Sequence, residues 1–264
     1  MNEKTREVII QKEEIEKKNK DITDSIRYAK RIQDAILPDL EKLKRIIPLS
    51  FVFFQPRDIV SGDFYWFEQY GNKLIIVCAD ATGHGVPGAF MSMIGSTLLK
   101  DITSRPDILS PAETLDVLDR EIKNLLRQND DEIDHTHDTV DIIICEIDLD
   151  TFYMRMCSTR RSMFISINNE LITFKKEKEN FDSQAYENRG IQLHKGDTLY
   201  MFTDGYPDQF GGEKSKKIKI SNMKLMLEQI QTLPMNQQAM VVDRYFNRWK
   251  EGHEQVDDVL FIGL

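Results

Sequence analysis

The amino-acid sequence predicts an α+β fold in which largely antiparallel sheets are layered with helices, behind an N-terminal helical segment. Three observations carry that expectation. Strand-like runs follow one another directly between residues 140 and 176, and helix-like runs come in pairs rather than in strict βαβ alternation. The first forty residues also differ from the rest in composition. The 264 residues suffice for one sizeable domain plus an extra element, and no internal repeat is present.

The N-terminal segment reads as one helix. Val8, Ile15, Ile22, Ala29 and Ile36 recur every seven residues, separated mostly by Glu, Lys, Asp, Gln and Arg. There is no Gly, and the first Pro is Pro38, which should end the helix near "ILPDL". The companion positions are mixed, with Gln11, Lys12, Lys18, Asn19 and Ser25 beside Ile26 and Ile32. A strong coiled coil is apolar there. Two readings stay open: a helix lying on its own domain, or a marginal parallel coil with a second chain, giving a homodimer. The polar companions and the isolated seam favour the second. The expected division is 1–45 as a helical linker or dimerisation segment and 46–264 as the main domain.

Further elements follow in order. "SFVFFQ" (50–55) is β-rich, and "KLIIVCAD" (73–80) has the length of a buried strand. Residues 86–102 form a helix with Pro87 at its first turn. Residues 110–128 form another, with Ser110 as cap, Pro111 at the first position and Glu113 completing a capping box. Residues 140–150, 151–158, 163–169 and 170–176 read as consecutive strands, and 197–205 as a further one. Helices at 221–231 and 236–252 precede a closing strand at 257–264.

Hydrophobic residues at 41% and charged residues at 30% describe a soluble globular chain. A net charge of −9 gives no nucleic-acid footprint but leaves room for metal cations or a basic protein surface. Cys78, Cys145 and Cys157 sit in apolar runs without metal-type spacing, as reduced core residues of a cytoplasmic protein do. No apolar run approaches ~20 residues, so this chain itself makes no membrane contact by spanning. The charged N-terminus is not a signal peptide.

Chemistry gathers at strand ends. Asp80 closes "LIIVCAD", Asp204 closes "LYMFTDG", Asp257 and Asp258 open "DDVLFIGL", and Asp63 opens "DFYWF". Singly, each suits a turn, as in Asp204-Gly205. Together they need a shared explanation, because buried carboxylates are costly unless paired or metal-bound. Basic residues are scarce beside them, Arg57 excepted, so a hard divalent cation bound through oxygen is the better answer. Gly83 and Gly85 free the backbone to turn a carbonyl of Ala81 or Thr82 toward such a cation. The following helix N-terminus favours an anion, and the pair suits a phosphate ester. A competing feature is "NDDEIDHTHDTVD" (129–141), where His135 and His137 have a spacing used by zinc sites. His84, His194 and His253 lie in unrelated contexts, so a solvated acidic loop is the plainer reading, with Asp138 or Asp141 touching a weak third cation as another.

"SGDFYWF", "ADATGHGVPGAFMSMIG", "FTDGYPDQFG" and "DDVLFIGL", in that order, resemble the metal-dependent PPM Ser/Thr phosphatases of the protein phosphatase 2C fold, in the bacterial SpoIIE and RsbU branch. "QDAILPDL" is similar to the linker between sensor and phosphatase in that branch, so the resemblance runs from Ile32 to Leu264. It implies an αββα sandwich, with two Mn²⁺ or Mg²⁺ ions at the sheet edge. Residue by residue it implies Asp80 as the carboxylate bridging both ions and Ala81 as a backbone-carbonyl ligand. Asp204 and Asp257 would hold one ion, Asp63 would reach the other through water, and Asp258 is the less favoured of its pair. It further implies in-line attack by metal-activated water without a phosphoenzyme, and a helix at 86–100 that belongs to a switch. His84 is either an acid toward the leaving oxygen or a partner within its loop. Arg57 is either a phosphate contact or a surface ion pair. The implied substrate is a phosphorylated regulatory protein of the STAS anti-sigma antagonist type, and the alternative is a catalytically silent module of the same fold. "STRRSMF" departs from the Gly- and Asn-rich turn of the family, which leaves Arg160 and Arg161 as a docking pair for an acidic partner or as a solvated turn.

Overall fold

The computed structural model describes residues 3–104, 110–127, 139–174 and 186–264. Two five-stranded antiparallel sheets face each other between helices, as the resemblance implied. One sheet has the order β2 (Asp63–Tyr70), β3 (Lys73–Ala81), β4 (Val140–Asp148), β5 (Tyr153–Ser158), β8 (Arg189–Gln192). The other runs β1 (Phe51–Gln55), β12 (Val259–Gly263), β9 (Thr198–Phe202), β6 (Met163–Ile167), β7 (Glu170–Phe174).

Each sheet is covered on both faces, so its central strands are apolar at nearly every position rather than at every second one. Tyr65, Phe67, Ile76, Cys78, Ile143 and Cys145 point between the sheets, where they meet Met201, Leu260 and Ile262 of the other sheet. The alternate residues Phe64, Trp66, Ile75, Val77, Ile142 and Ile144 point outward, under α3 (Gly85–Thr103) and α4 (Pro111–Leu125). Tyr200, Phe202 and Phe261 do the same on the opposite side, under α6 (Lys219–Ile230) and α7 (Met235–Lys250). The expected capping box starts α4: the Ser110 amide donates to Glu113 Oε2 at 2.7 Å, and Ser110 Oγ accepts from the Glu113 amide at 3.4 Å. All three cysteines are buried and unbridged. Among the described residues no helix is long and apolar enough to cross a membrane.

The helix α1 (Glu3–Ile36) stops two residues before Pro38. Its seam divides. Val8, Ile15 and Ile22 are 63%, 57% and 58% exposed, whereas Gln33 is 2% exposed against the domain. The short helix α2 (Leu40–Ile46), capped by Asp39, then inserts Leu43 into the inter-sheet core. Gln33 and Leu43, both within the segment expected to be a separate linker, therefore lie in the interior of the domain. Five elements went unread in the sequence: α2, the edge strand β8, the turn-like helix α5 (Gly205–Asp208) and the paired strands β10 (Phe210–Gly211) and β11 (Lys216–Lys217). All are too short to carry a period, and β8 lies at a sheet edge where a polar composition is tolerated.

Candidate functional site

Strand pairing builds an acidic row. Asp63 lies opposite Asp80, and Asp80 lies opposite Asp141. Residues directly opposite share a face, and two positions further in, Tyr65, Cys78 and Ile143 show that this face points between the sheets. Three carboxylates thus stand side by side at one end of the inter-sheet slot. The other sheet answers with Asp204, just after β9, and Asp257, just before β12. Thr203 links the two sheets there, its Oγ1 donating to Asp63 Oδ2 at 2.6 Å.

The charges are crowded and poorly solvated. Asp63 is 3% exposed, and burial, followed by the neighbouring Asp80 charge, pushes its carboxyl well above the usual range. Burial also pushes Asp80 up to about 7; Arg161 pulls the other way, while Asp204, Asp257 and Asp141 add repulsion. Asp257 is raised as well, chiefly by burial. Asp258 has a different task. Its Oδ1 accepts from the Arg57 amide and its Oδ2 from the Gly62 amide, both at 2.7 Å, so it clamps the loop that leads into Asp63.

The loop after Asp80 is shaped by its glycines. Gly83 has φ +88°, a left-handed conformation that side-chain-bearing residues rarely adopt. A Cβ on Gly88 would lie 2.1 Å from the Gly83 carbonyl oxygen, so the first turn of α3 and the loop touch backbone to backbone. Ala81 ends β3 with its amide 3.4 Å from the Gly62 carbonyl. Thr82 is tied to Thr139 through both its amide, at 2.9 Å, and its hydroxyl, at 2.8 Å. His84 occupies the cap position of α3 without capping it. Its Nδ1 lies instead 3.1 Å from Asp58 Oδ2, with both side chains about half exposed at the rim. The Arg57 guanidinium donates to the Val256 carbonyl at 3.0 Å rather than pairing with Asp58. Asp63, Asp80, Asp204 and Asp257 are therefore brought together, while His84 and Arg57 stand at the edge. His135, His137 and Asp138 lie outside the described residues.

Two further participants had other readings in the sequence, Asp141 as a contact for a weak third cation and Arg161, with Arg160, as a docking pair or a solvated turn. Asp141 completes the acidic row. Arg161, in the connection between β5 and β6, turns inward: its Nη2 pairs with Asp80 and lies 3.4 Å from Asp141 Oδ2, and its Nη1 is 2.5 Å from Asp204 Oδ2. Arg160 beside it is 72% exposed, against 20% for Arg161. An all-oxygen, mutually repelling donor set, buried at Asp63, largely buried at Asp80 and open to solvent at Asp204, suits a hard divalent cation. Among the described residues, however, no three acidic, thiol or imidazole groups already converge as ligands. The Arg161 guanidinium lies between them.

Comparison with known proteins agrees with this geometry. The family model described as Stage II sporulation protein E (SpoIIE) matches residues 70–264. The SiaA-PP2C domain of Pseudomonas aeruginosa superposes with a TM-score of 0.84 at 27% identity, over 93% of this chain and 97% of that one. The PP2C phosphatase domain of SpoIIE from Bacillus subtilis, with a fragment of its regulatory domain, gives 0.64 at 19% identity, over 81% and 61%. RsbX in complex with magnesium gives 0.56 at 16% identity, over 81% and 92%. No curated protein matches the chain. The family model covers well over half of the chain and takes in Asp80, Asp141, Asp204 and Asp257, with Asp63 shortly before it, so the chain belongs to the SpoIIE family and is a metal-dependent protein phosphatase of the PP2C fold.

Proposed function

We propose that this phosphatase hydrolyses a phosphoserine or phosphothreonine ester on a cytoplasmic regulatory protein, of the STAS type by analogy, with two Mn²⁺ or Mg²⁺ ions held among Asp63, Asp80, the Ala81 carbonyl, Asp204 and Asp257. The observation that carries this reading is the row Asp63–Asp80–Asp141 facing Asp204 and Asp257 across the slot. Bound there, such ions polarise phosphoryl oxygens and bring the pKa of a water nucleophile towards neutrality. The chain's own groups do the rest. Thr203 orients Asp63, and Asp258 fixes the loop before it. With Nδ1 engaged by Asp58, His84 has Nε2 left to carry a proton to the leaving seryl oxygen. Arg57 and the first N–H groups of α3 offer positive charge to the phosphate.

Regulation through α1 belongs to the same reading. Gln33 Nε2 donates to the Ser61 carbonyl at 2.6 Å and to Ser92 Oγ of α3 at 2.7 Å, and its Oε1 accepts from the Ser61 amide at 3.1 Å. One buried amide thus joins α1 to the segment before Asp63 and to α3. The bare seam Val8, Ile15 and Ile22 is the surface on which a second copy would pair.

Release of phosphate from a phosphoserine protein, assayed with and without Mn²⁺, tests the catalytic reading. Turnover that is abolished by Asp80→Asn and absent without the ion supports it; equal turnover in the variant defeats it. Sedimentation of the wild type against a chain with Ile15 and Ile22 replaced by Glu tests the pairing, which fails if both behave as monomers.

A further inference from the structure

We propose that Arg161 is an internal counter-cation: its guanidinium holds the acidic row together in the absence of divalent ions, competes with them for the same oxygens, and so sets the metal affinity of the site. The inference rests on the reading that ions bind among these carboxylates.

Three features support it. First, the fork reaches both sheets. Nη2 meets Asp80 and Asp141 on one side and Nη1 meets Asp204 on the other, so one side chain bridges the slot that the ions are assigned to bridge. A guanidinium and a dication facing the same Asp80 and Asp204 carboxylates repel one another, so the two compete for that space. Second, an arginine does not discharge by losing its proton, so it yields to an ion only by moving. Third, the movement is local. The Ser158 hydroxyl donates to the Arg161 carbonyl at 2.7 Å, the Thr159 amide donates to the Ile142 carbonyl at 3.0 Å, and the Ile142 amide donates to Thr159 Oγ1 at 2.9 Å. These bonds pin the backbone and leave the side chain as the part free to swing. Its buried Nε has no hydrogen-bond partner among the described residues, so no bond to the stem has to break for the side chain to withdraw. The adjacent Arg160 Nε is 3.6 Å from Asp141 Oδ1 on a largely exposed side chain and is no substitute.

Calorimetric titration of the metal-stripped full chain with Mn²⁺, together with thermal unfolding in its absence and presence, tests the proposal. Arg161→Gln should bind Mn²⁺ about tenfold more tightly or better, because charge-assisted bonds that the ion must displace are gone. The same variant should melt lower than wild type without metal and no lower with saturating Mn²⁺. Arg161→Lys, which keeps the charge without the fork, should lie between the two and serves as the check if the Gln variant folds only with metal. Affinity that is unchanged or weaker in both variants overturns the proposal. Asp80→Asn separates the two levels: if it abolishes Mn²⁺ binding while Arg161→Gln leaves affinity unchanged, only the counter-cation is wrong. If Asp80→Asn binds like wild type, the metal reading falls and the counter-cation with it.

Discussion

Two neighbouring rows on one face of one sheet have opposite characters. Tyr65, Cys78 and Ile143 stand opposite one another, and all are buried between the sheets. One step outward, Asp63, Asp80 and Asp141 stand opposite one another in the same orientation. The inner row gains from leaving water, as apolar surface does. The outer row loses, as buried carboxylates do. The comparison teaches that stability and chemistry here are separated by two residues along each strand, and that one register keeps both.

The strongest way to break the outer row is Asp80→Asn. Turnover should fall by roughly a thousandfold or more, since the residue stands at the centre of the cluster, while the metal-free chain unfolds no earlier than wild type in a thermal melt. The inner row should answer in the reverse sense. Ile143→Ala leaves a cavity in a packed core and should cost about 3 kcal/mol in denaturant unfolding, with the rate per folded molecule unchanged.

The pH dependence sharpens the contrast. A carboxyl whose folded pKa is raised supports the folded state while protonated; that support is full below the unfolded value and is lost as pH rises through the folded one. For Asp80 the window runs from 3.8 to about 7. Without metal, the stability of Asp80→Asn relative to wild type should therefore grow by roughly 1–3 kcal/mol between about pH 4 and pH 7 and then level off. A flat difference across that range would mean that the outer row is not under electrostatic strain. Smallest of all, Ser110→Ala removes the cap of α4, remote from both rows, and should cost about 1 kcal/mol with no change in metal affinity.

The inner row was legible because Val, Ile, Leu and aromatic residues fill strands of ordinary length. Asp63, Asp80, Asp204 and Asp257 were legible because each ends or opens such a run. Asp141 was legible only as one candidate beside Asp138, since it closes a stretch already crowded with Asp, and only its pairing with Asp80 distinguishes it. Arg161 could not be told from Arg160 by type or by position in the sequence; the backbone of one connection decides which of them faces inward. The seven-residue seam of α1 pointed to the helix but not to its split, because the docked half buries Gln33 most deeply, between the half-buried seam residues Ala29 and Ile36. A buried glutamine carries no hydrophobic signal.

The strand β12 lies between β1 and β9, and it brings Asp257 and Asp258 with it. Phe51 pairs with Gly263, so the earliest strand of the sheets finds its partner in the last of them. Translation runs from N-terminus to C-terminus, and contacts so distant in sequence form late and slowly. A nascent chain lacking these residues has an open seam in one sheet and an unclamped loop before Asp63. Assembly of the acidic site therefore waits on the strand that is translated last among those of the two sheets.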